Sequence, residues 1–517
     1  MRIGTTLSVG LNGLKAFTVS MQAYISPGLP YFSIIGLPDT SLSEARERVK
    51  SACASAGFSW PETRVTVNLS PASLPKSGAA HDLAIAASVL CAGGAIPHDS
   101  LADTLVLGEL KLDGTVLPVA GLLPILLHAR NSGITRAFIP QGNLEESELV
   151  PDIDVVPVRH VGELIEHMGG KASYRIPDNP YELRMPSFDD PLNGEMADGT
   201  STTGLDMDQV MGQEHTKWAL EVAAAGGHHV IMVGPPGAGK TMLASRLPTI
   251  MPPMNERQQL EVASIRSLCG TLTEYGITDV PPYEAPHHTA SVAALVGGGS
   301  GMARPGAITR AHNGVLFMDE APEFPPRVLQ TIREPLETGY VAISRSKGNA
   351  HYPARFQLVM AANPCPCGFG WGTGEKCVCS VKERTRYWNR LSGPILDRID
   401  IQITVPPIAT FVPISETPAE SSATIRARVV EARNAAAERY RFEDWPCNAK
   451  ASGEWLRRNT SGKALIPLSR AVEQQRLSLR GADRALRLAW TLADVDGRTS
   501  PNAQDVSSGI ALRTRLR

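Results

Sequence analysis

At 517 residues the chain is too long for one hydrophobic core and predicts about two to four domains. Its 50 Lys/Arg nearly balance 52 Asp/Glu, for a formal net charge of −2, which excludes a uniformly basic coat for nucleic acid. Eight cysteines at this length exclude a disulfide scaffold, and with no basic-then-apolar leader and no long apolar run the expectation is a cytoplasmic enzyme that spans no membrane.

Residues 1–170 alternate strand-like runs, RVTVNL and RAFIP, with helical ones, SLSEARERVKSACASAG and HDLAIAASVLCAG, and predict a self-contained α/β domain. Residues 171–204 turn acidic and rich in Pro, Gly, Ser and Thr, a composition that cannot bury enough apolar surface to fold alone; they predict a linker.

Residues 205–410 carry the chemistry. The apolar run HHVIMVG enters Gly234-Pro235-Pro236-Gly237-Ala238-Gly239-Lys240-Thr241, which fits the phosphate-binding loop between a strand and a helix. The glycines let successive N–H groups turn toward phosphate oxygens, Lys240 supplies a charge for the β- and γ-phosphates, and the Thr241 hydroxyl is placed for Mg²⁺. This predicts ATP and Mg²⁺ as cofactors. Further on, VLFMDE reads as a buried parallel strand delivering Asp319 to the metal and Glu320 to the attacking water. A third strand, FQLVMAANP, ends in Asn363, whose amide could bond both water and γ-phosphate or simply cap the strand end. His287 and His288, in PHHTASVAALVGGGSG, have no acidic or cysteine partner at metal-ligand spacing and read as loop or packing residues.

Between the second and third motifs, YVAISRSKGNAHYPARF predicts a hairpin turning at Ser346 to Asn349. Half of the cysteines then fall together as Cys365-Pro-Cys367, nine residues, and Cys377-Val-Cys379. Four thiolates so close suggest a tetrahedral zinc site, although Cys-x-Cys is tighter than the usual spacing and reduced, unliganded thiols are the alternative. From Ser421 onward the pattern is helical, as in ATIRARVVEARNAAAERY and GADRALRLAWTLADVDG, with 18 Lys/Arg against 10 Asp/Glu, so residues 411–517 are either a polyanion contact or a solvated helical surface.

With these motifs, PHHTASVAALVGGG, NPCPCG, CVCS and LSGPILDRID, the sequence resembles the YifB/ComM family of magnesium-chelatase-like AAA+ ATPases. The resemblance implies an α/β fold with an AAA+ core and a C-terminal helical lid, and a homo-oligomer, a hexamer by expectation, with nucleotide between subunits. It places Arg398 of LDRID as an arginine supplied to the neighbour's site, the alternative being an ion pair with Asp397 or Asp400 of the same chain. It offers Arg480, or Arg484 one turn on, as a lid arginine reaching the γ-phosphate. In related rings the hairpin projects into the pore, where Arg345 and Lys347 could follow a DNA backbone, unless they are a solvated turn. The implied activity is an ATP-driven helicase on single-stranded or branched DNA, promoting branch migration when incoming DNA is integrated; the alternative is remodelling of a protein partner.

The stretch LVLGELKLDGTVLPVAGLLPILLHARNSGITRAFIP also looks like the protease-type domain of Lon. A serine–lysine dyad would need a hydroxyl and an amine in hydrogen-bond reach, but the aligned positions are Ala80 and Leu123, with Ser77 out of register. A Lon-like fold without protease activity is the expectation.

Overall fold

The computed structural model describes residues 3–36, 39–72, 79–176, 204–298, 304–345, 348–391, 393–407 and 419–514. Residues 177–203, within the stretch expected to be a linker, and Ser77 lie outside them.

The N-terminal half is built on a seven-stranded sheet in the order β3-β4-β2-β1-β5-β8-β9. Its strands are β1 (Ile3–Asn12), β2 (Lys15–Ser26), β3 (Tyr31–Ile35), β4 (Arg64–Ser70), β5 (Thr104–Val106), β8 (Arg136–Pro140) and β9 (Asp154–Val158), while β6 (Glu109–Leu110) and β7 (Val116–Leu117) form a separate short pair. The long antiparallel hairpin β1–β2 is in register from Ile3↔Tyr24 to Asn12↔Lys15. Its period-2 alternation makes the two faces distinct. Val19, Met21 and Ala23 join the cluster under helices Asp39–Ser55 and Asp82–Gly93, whereas Val9 and Leu11 join the one under helix Leu122–Asn131. Residues 171–176 still pack on this half: the Ser173 N–H donates to the Ala56 carbonyl at 3.0 Å and Tyr174 stacks on His160.

The second sheet is five-stranded and parallel, in the order β11-β14-β17-β10-β18. Its strands are β10 (Val230–Val233), β11 (Tyr283–Glu284), β14 (Val315–Met318), β17 (Gln357–Ala362) and β18 (Ile401–Thr404). Short pairs β12 (Gly297–Gly298) with β13 (Arg304–Pro305), and β15 (Tyr340–Arg345) with β16 (Gly348–Pro353), stand apart from it. Every residue of β10, β14 and β17 is buried, as expected of parallel strands covered on both faces. Register fixes what happens at the edge: Val233 lies opposite Ala362 and Met318 opposite Met360, so Gly234, Asn363 and Asp319 leave the sheet side by side.

One hydrophobic cluster runs from the N-terminal sheet into this second unit, joining Leu122 and Leu126 to Leu268 and Leu272. At that seam Glu146 accepts the Leu123 N–H at 2.8 Å and the Ser267 hydroxyl, so the two halves share buried polar as well as apolar contacts.

Helices Ser422–Arg439, Gly453–Asn459, Gly462–Glu473, Leu479–Val495 and Ala503–Thr514 form the C-terminal bundle. Tyr440, Trp455 and Trp490 make an aromatic chain, edge-on at the first contact and tilted at the second, with centroid spacings of 5.2 and 5.5 Å. Between the two apolar-periodic stretches, residues 453–473 also fold into two helices, because Leu456, Ala464, Leu468 and Ala471 supply buried apolar positions.

Candidate nucleotide site

Strand β10 is followed by Gly234, where a Cβ would sit 2.3 Å from the Val405 carbonyl, so only glycine admits the turn into the loop. The following helix, Lys240–Ile250, begins at the lysine. The Lys240 side chain is almost wholly buried, and its ammonium donates to the carbonyls of Gly234 (2.7 Å) and Pro235 (2.9 Å) and to Asn363 Oδ1 (3.1 Å). Burial pulls this ammonium below its ordinary pKa range, opposed by the Asp319 and Glu320 carboxylates.

Beside it, the Thr241 hydroxyl donates to Asp319 Oδ2 at 2.6 Å, and Asp319 Oδ1 accepts the Glu320 N–H at 2.9 Å. These are hard oxygen donors of the kind that suit Mg²⁺. Glu320 itself is held in the left-handed region at φ 49°, a cost of order 1–3 kcal/mol for a residue that has a Cβ. A cavity of about 610 Å³ opens here, lined in part by Thr241, Tyr283, His288, Phe317, Asp319 and Glu320.

His288 is the residue the sequence reading missed. Its Nδ1 stands 3.4 Å from Glu320 Oε2, while His287 bonds Thr289 instead. Nothing in the spacing announces this contact. It arises because β11 pairs in parallel with β14, so the loops leaving both strands emerge on the same side of the sheet.

The arginines part company. Arg398 is held within its own chain, by Glu337 and by the Pro394 carbonyl, and pairs with neither Asp397 nor Asp400. Asp400 belongs to Arg484, which also donates to the Arg398 carbonyl at 3.1 Å. Arg480, on the first turn of helix Leu479–Val495, is exposed and has no ion pair among the described residues. Asp400 further meets His228 Nδ1 at 3.2 Å, and His228 Nε2 meets Thr491 at 2.8 Å, so a buried polar chain ties β10 and β18 to the C-terminal bundle. Burial pushes the Asp400 carboxyl up, but Arg484 and His228 hold it far below the usual carboxylate range.

Several arginines of the C-terminal bundle are already held in ion pairs. Arg428 pairs with Glu221 and Glu420, Arg439 with Asp494, Arg457 with Asp483 and Arg498 with Asp505. In the hairpin, Arg345 pairs with Gly348 through the backbone of β15 and β16; the Arg345 side chain and Lys347 lie outside what is described. Cys365, Cys367, Cys377 and Cys379 come together with all four sulfurs within 4.8 Å of one another. Ala80 and Leu123 both pack into the hydrophobic cluster shared with the second unit.

Three family models match: "Magnesium chelatase, subunit ChlI" over residues 206–411, "Subunit ChlI of Mg-chelatase" over 21–143, and the ChlI C-terminal model over 419–513. An uncharacterized protein of Mycobacterium tuberculosis is 44% identical over 518 residues, 99% of each chain. Competence protein ComM of Haemophilus influenzae is 35% identical, covering 100% of this chain and 98% of its own, and the uncharacterized protein YifB of Escherichia coli is 36% identical, covering 97% and 95%. A shorter stretch, 34% of the chain, is 26% identical to part of Lon protease from Rhizobium meliloti. Carrying these likenesses over nearly its full length, the chain belongs to the YifB/ComM family of magnesium-chelatase-like AAA+ ATPases.

Proposed function

We propose that the protein hydrolyses ATP as the subunit of a ring motor that acts on DNA, promoting branch migration when incoming DNA is integrated. The observation that carries the hydrolytic part is the meeting of Lys240, Asn363, Thr241, Asp319 and Glu320 at one sheet edge. Lys240 and the loop N–H groups would bind the phosphates, Thr241 and Asp319 would hold Mg²⁺, and Glu320 would orient and polarise the attacking water beside Asn363. When bound, the cation neutralises charge on the phosphate oxygens.

In this reading the C-terminal bundle is the lid and Arg480, without an ion pair among the described residues, its arginine for the γ-phosphate, since Arg484 is committed to Asp400. Arg398 would exchange Glu337, an exposed partner whose pairing is worth at most about 1 kcal/mol, for phosphoryl oxygens of the neighbouring subunit. Among the described residues no helix is long and apolar enough to cross a membrane. Residues 1–170 would serve assembly or guide nucleic acid, without proteolysis, because apolar Ala80 and Leu123 stand where a dyad needs a hydroxyl and an amine.

The DNA part rests on the likeness to a protein named for competence. A motor that remodels a protein partner is favoured instead by the magnesium-chelatase models, which match all three parts of the chain. ATP turnover of the purified protein with and without single-stranded DNA, at fixed salt, separates them. Several-fold stimulation that disappears in Glu320→Gln supports the DNA motor; intact turnover with no response to DNA overturns it.

A further inference from the structure

The segment from Asn363 to Arg390 returns three times to the nucleotide site. At its start, Asn363 bonds Lys240, and two residues later the chain enters Cys365, which is fully buried. Soon after, Gly368 lies against the phosphate loop: a Cβ there would fall 2.6 Å from Pro236 Cγ, and its φ of +81° excludes most other residues independently. At its end, helix Val381–Arg390 sends Trp388 Nε1 back to the Pro364 carbonyl at 3.1 Å and Arg390 to Glu323 at 2.6 Å, in the turn that follows Glu320.

Between these contacts apolar burial does little to order the segment: Phe369 and Val378 are exposed, and Gly368, Gly370, Gly372 and Gly374 fall within ten residues of Cys365. What gathers it is sulfur. Cys365, Cys367 and Cys377 have mutual Sγ separations of 3.3, 3.6 and 3.7 Å, and Cys379 completes a set confined to 4.8 Å. A Zn²⁺ ion with four thiolates at about 2.3 Å demands sulfur–sulfur edges of about 3.8 Å. The Gly370 N–H, 3.1 Å from Cys365 Sγ, supplies the outer-shell hydrogen bond that such a thiolate accepts.

We propose that Cys365, Cys367, Cys377 and Cys379 bind one zinc ion, and that this clip fixes the loop between Asn363 and Arg390 against the phosphate loop, so that loss of the metal weakens nucleotide binding. Zinc binding forms four Zn–S bonds and releases the thiol protons to solvent. The clip's effect on nucleotide rests on the ATPase reading; the metal site does not.

The test uses the full-length protein purified without chelator. Zinc is measured by mass spectrometry, and the site is refilled with Co²⁺ for its tetrahedral-thiolate absorption bands. Affinity for a fluorescent ATP analogue is measured alongside, without turnover. Stoichiometric zinc, thiolate-type cobalt bands, and a several-fold loss of nucleotide affinity in Cys377→Ser and Cys379→Ser are expected. Because those variants could misfold, the wild type is also stripped with a mercurial that caps each thiolate, then restored with excess thiol and Zn²⁺; affinity should fall and return. Absence of zinc, with all four thiols open to Ellman's reagent, overturns the site. Stoichiometric zinc whose removal leaves nucleotide affinity unchanged overturns the clip. Zinc bound and coupled to nucleotide affinity in a protein that never hydrolyses ATP would support the clip and sink the ATPase reading.

Discussion

Lys240 and Asn363 are joined by a 3.1 Å hydrogen bond across two neighbouring parallel strands, although 123 residues separate them. The ammonium's other bonds go to carbonyls of its own loop, so Asn363 is its side-chain partner. Asn363→Ala should leave nucleotide affinity within a few-fold and lower turnover by about 10²-fold, the scale for losing one preorganised polar group facing developing charge. Single-turnover hydrolysis beside equilibrium binding distinguishes this from general damage, which would reduce both together.

Glu320→Gln keeps the shape of the side chain and removes the base. Turnover should drop about 10²–10⁴-fold while ATP still binds. The unusual backbone at Glu320 gives a second expectation: Glu320→Gly relieves the left-handed strain, and should raise thermal stability slightly while abolishing hydrolysis equally well. A stability gain together with normal turnover would show that this carboxylate is not the base.

Glu261 couples stability to pH. His312 above all, then Asn313 and Arg257, hold its carboxyl down at about 2 against the opposing effect of burial. The bonds are 3.0 Å to His312 Nε2 and 3.1 Å each to Asn313 and Arg257. With the folded pKa below the unfolded one, the contribution is fully present above about pH 4.5 and is lost as pH falls toward 2, amounting to about 1–2 kcal/mol after solvent screening is allowed for. Glu261→Gln should therefore be less stable than wild type at pH 6 by that amount, with the gap closing near pH 3 in denaturant titrations.

Motif-bearing strands were legible because burial on both faces leaves an uninterrupted apolar run, as in VLFM and QLVMAA, ending at a polar residue. Helix Leu479–Val495 was legible from its periodic apolar face. Contacts set by tertiary register were not. His288 reaches Glu320 only because β11 lies beside β14, and Arg398 meets Glu337, 61 residues away, rather than either flanking aspartate. The β1–β2 hairpin was also missed: its edge-to-edge pairing buries residues on two different clusters, which blurs the alternation a single buried face would give.

The choice between Arg480 and Arg484 follows from what each side chain already holds. Arg484 neutralises Asp400, which is almost wholly buried and also bonded to His228; Arg484→Ala would leave that carboxylate short of its cation, at a cost of about 3–5 kcal/mol. Arg480 is exposed on the first turn of the same helix and has no ion pair among the described residues. Arg484→Ala should therefore lower the melting temperature by several degrees with or without ATP, whereas Arg480→Ala should melt like wild type and lose turnover. If Arg480→Ala hydrolyses ATP normally while an Arg484→Lys variant of wild-type stability does not, the catalytic assignment passes to Arg484 and its pairing with Asp400 becomes the resting state of a residue that moves.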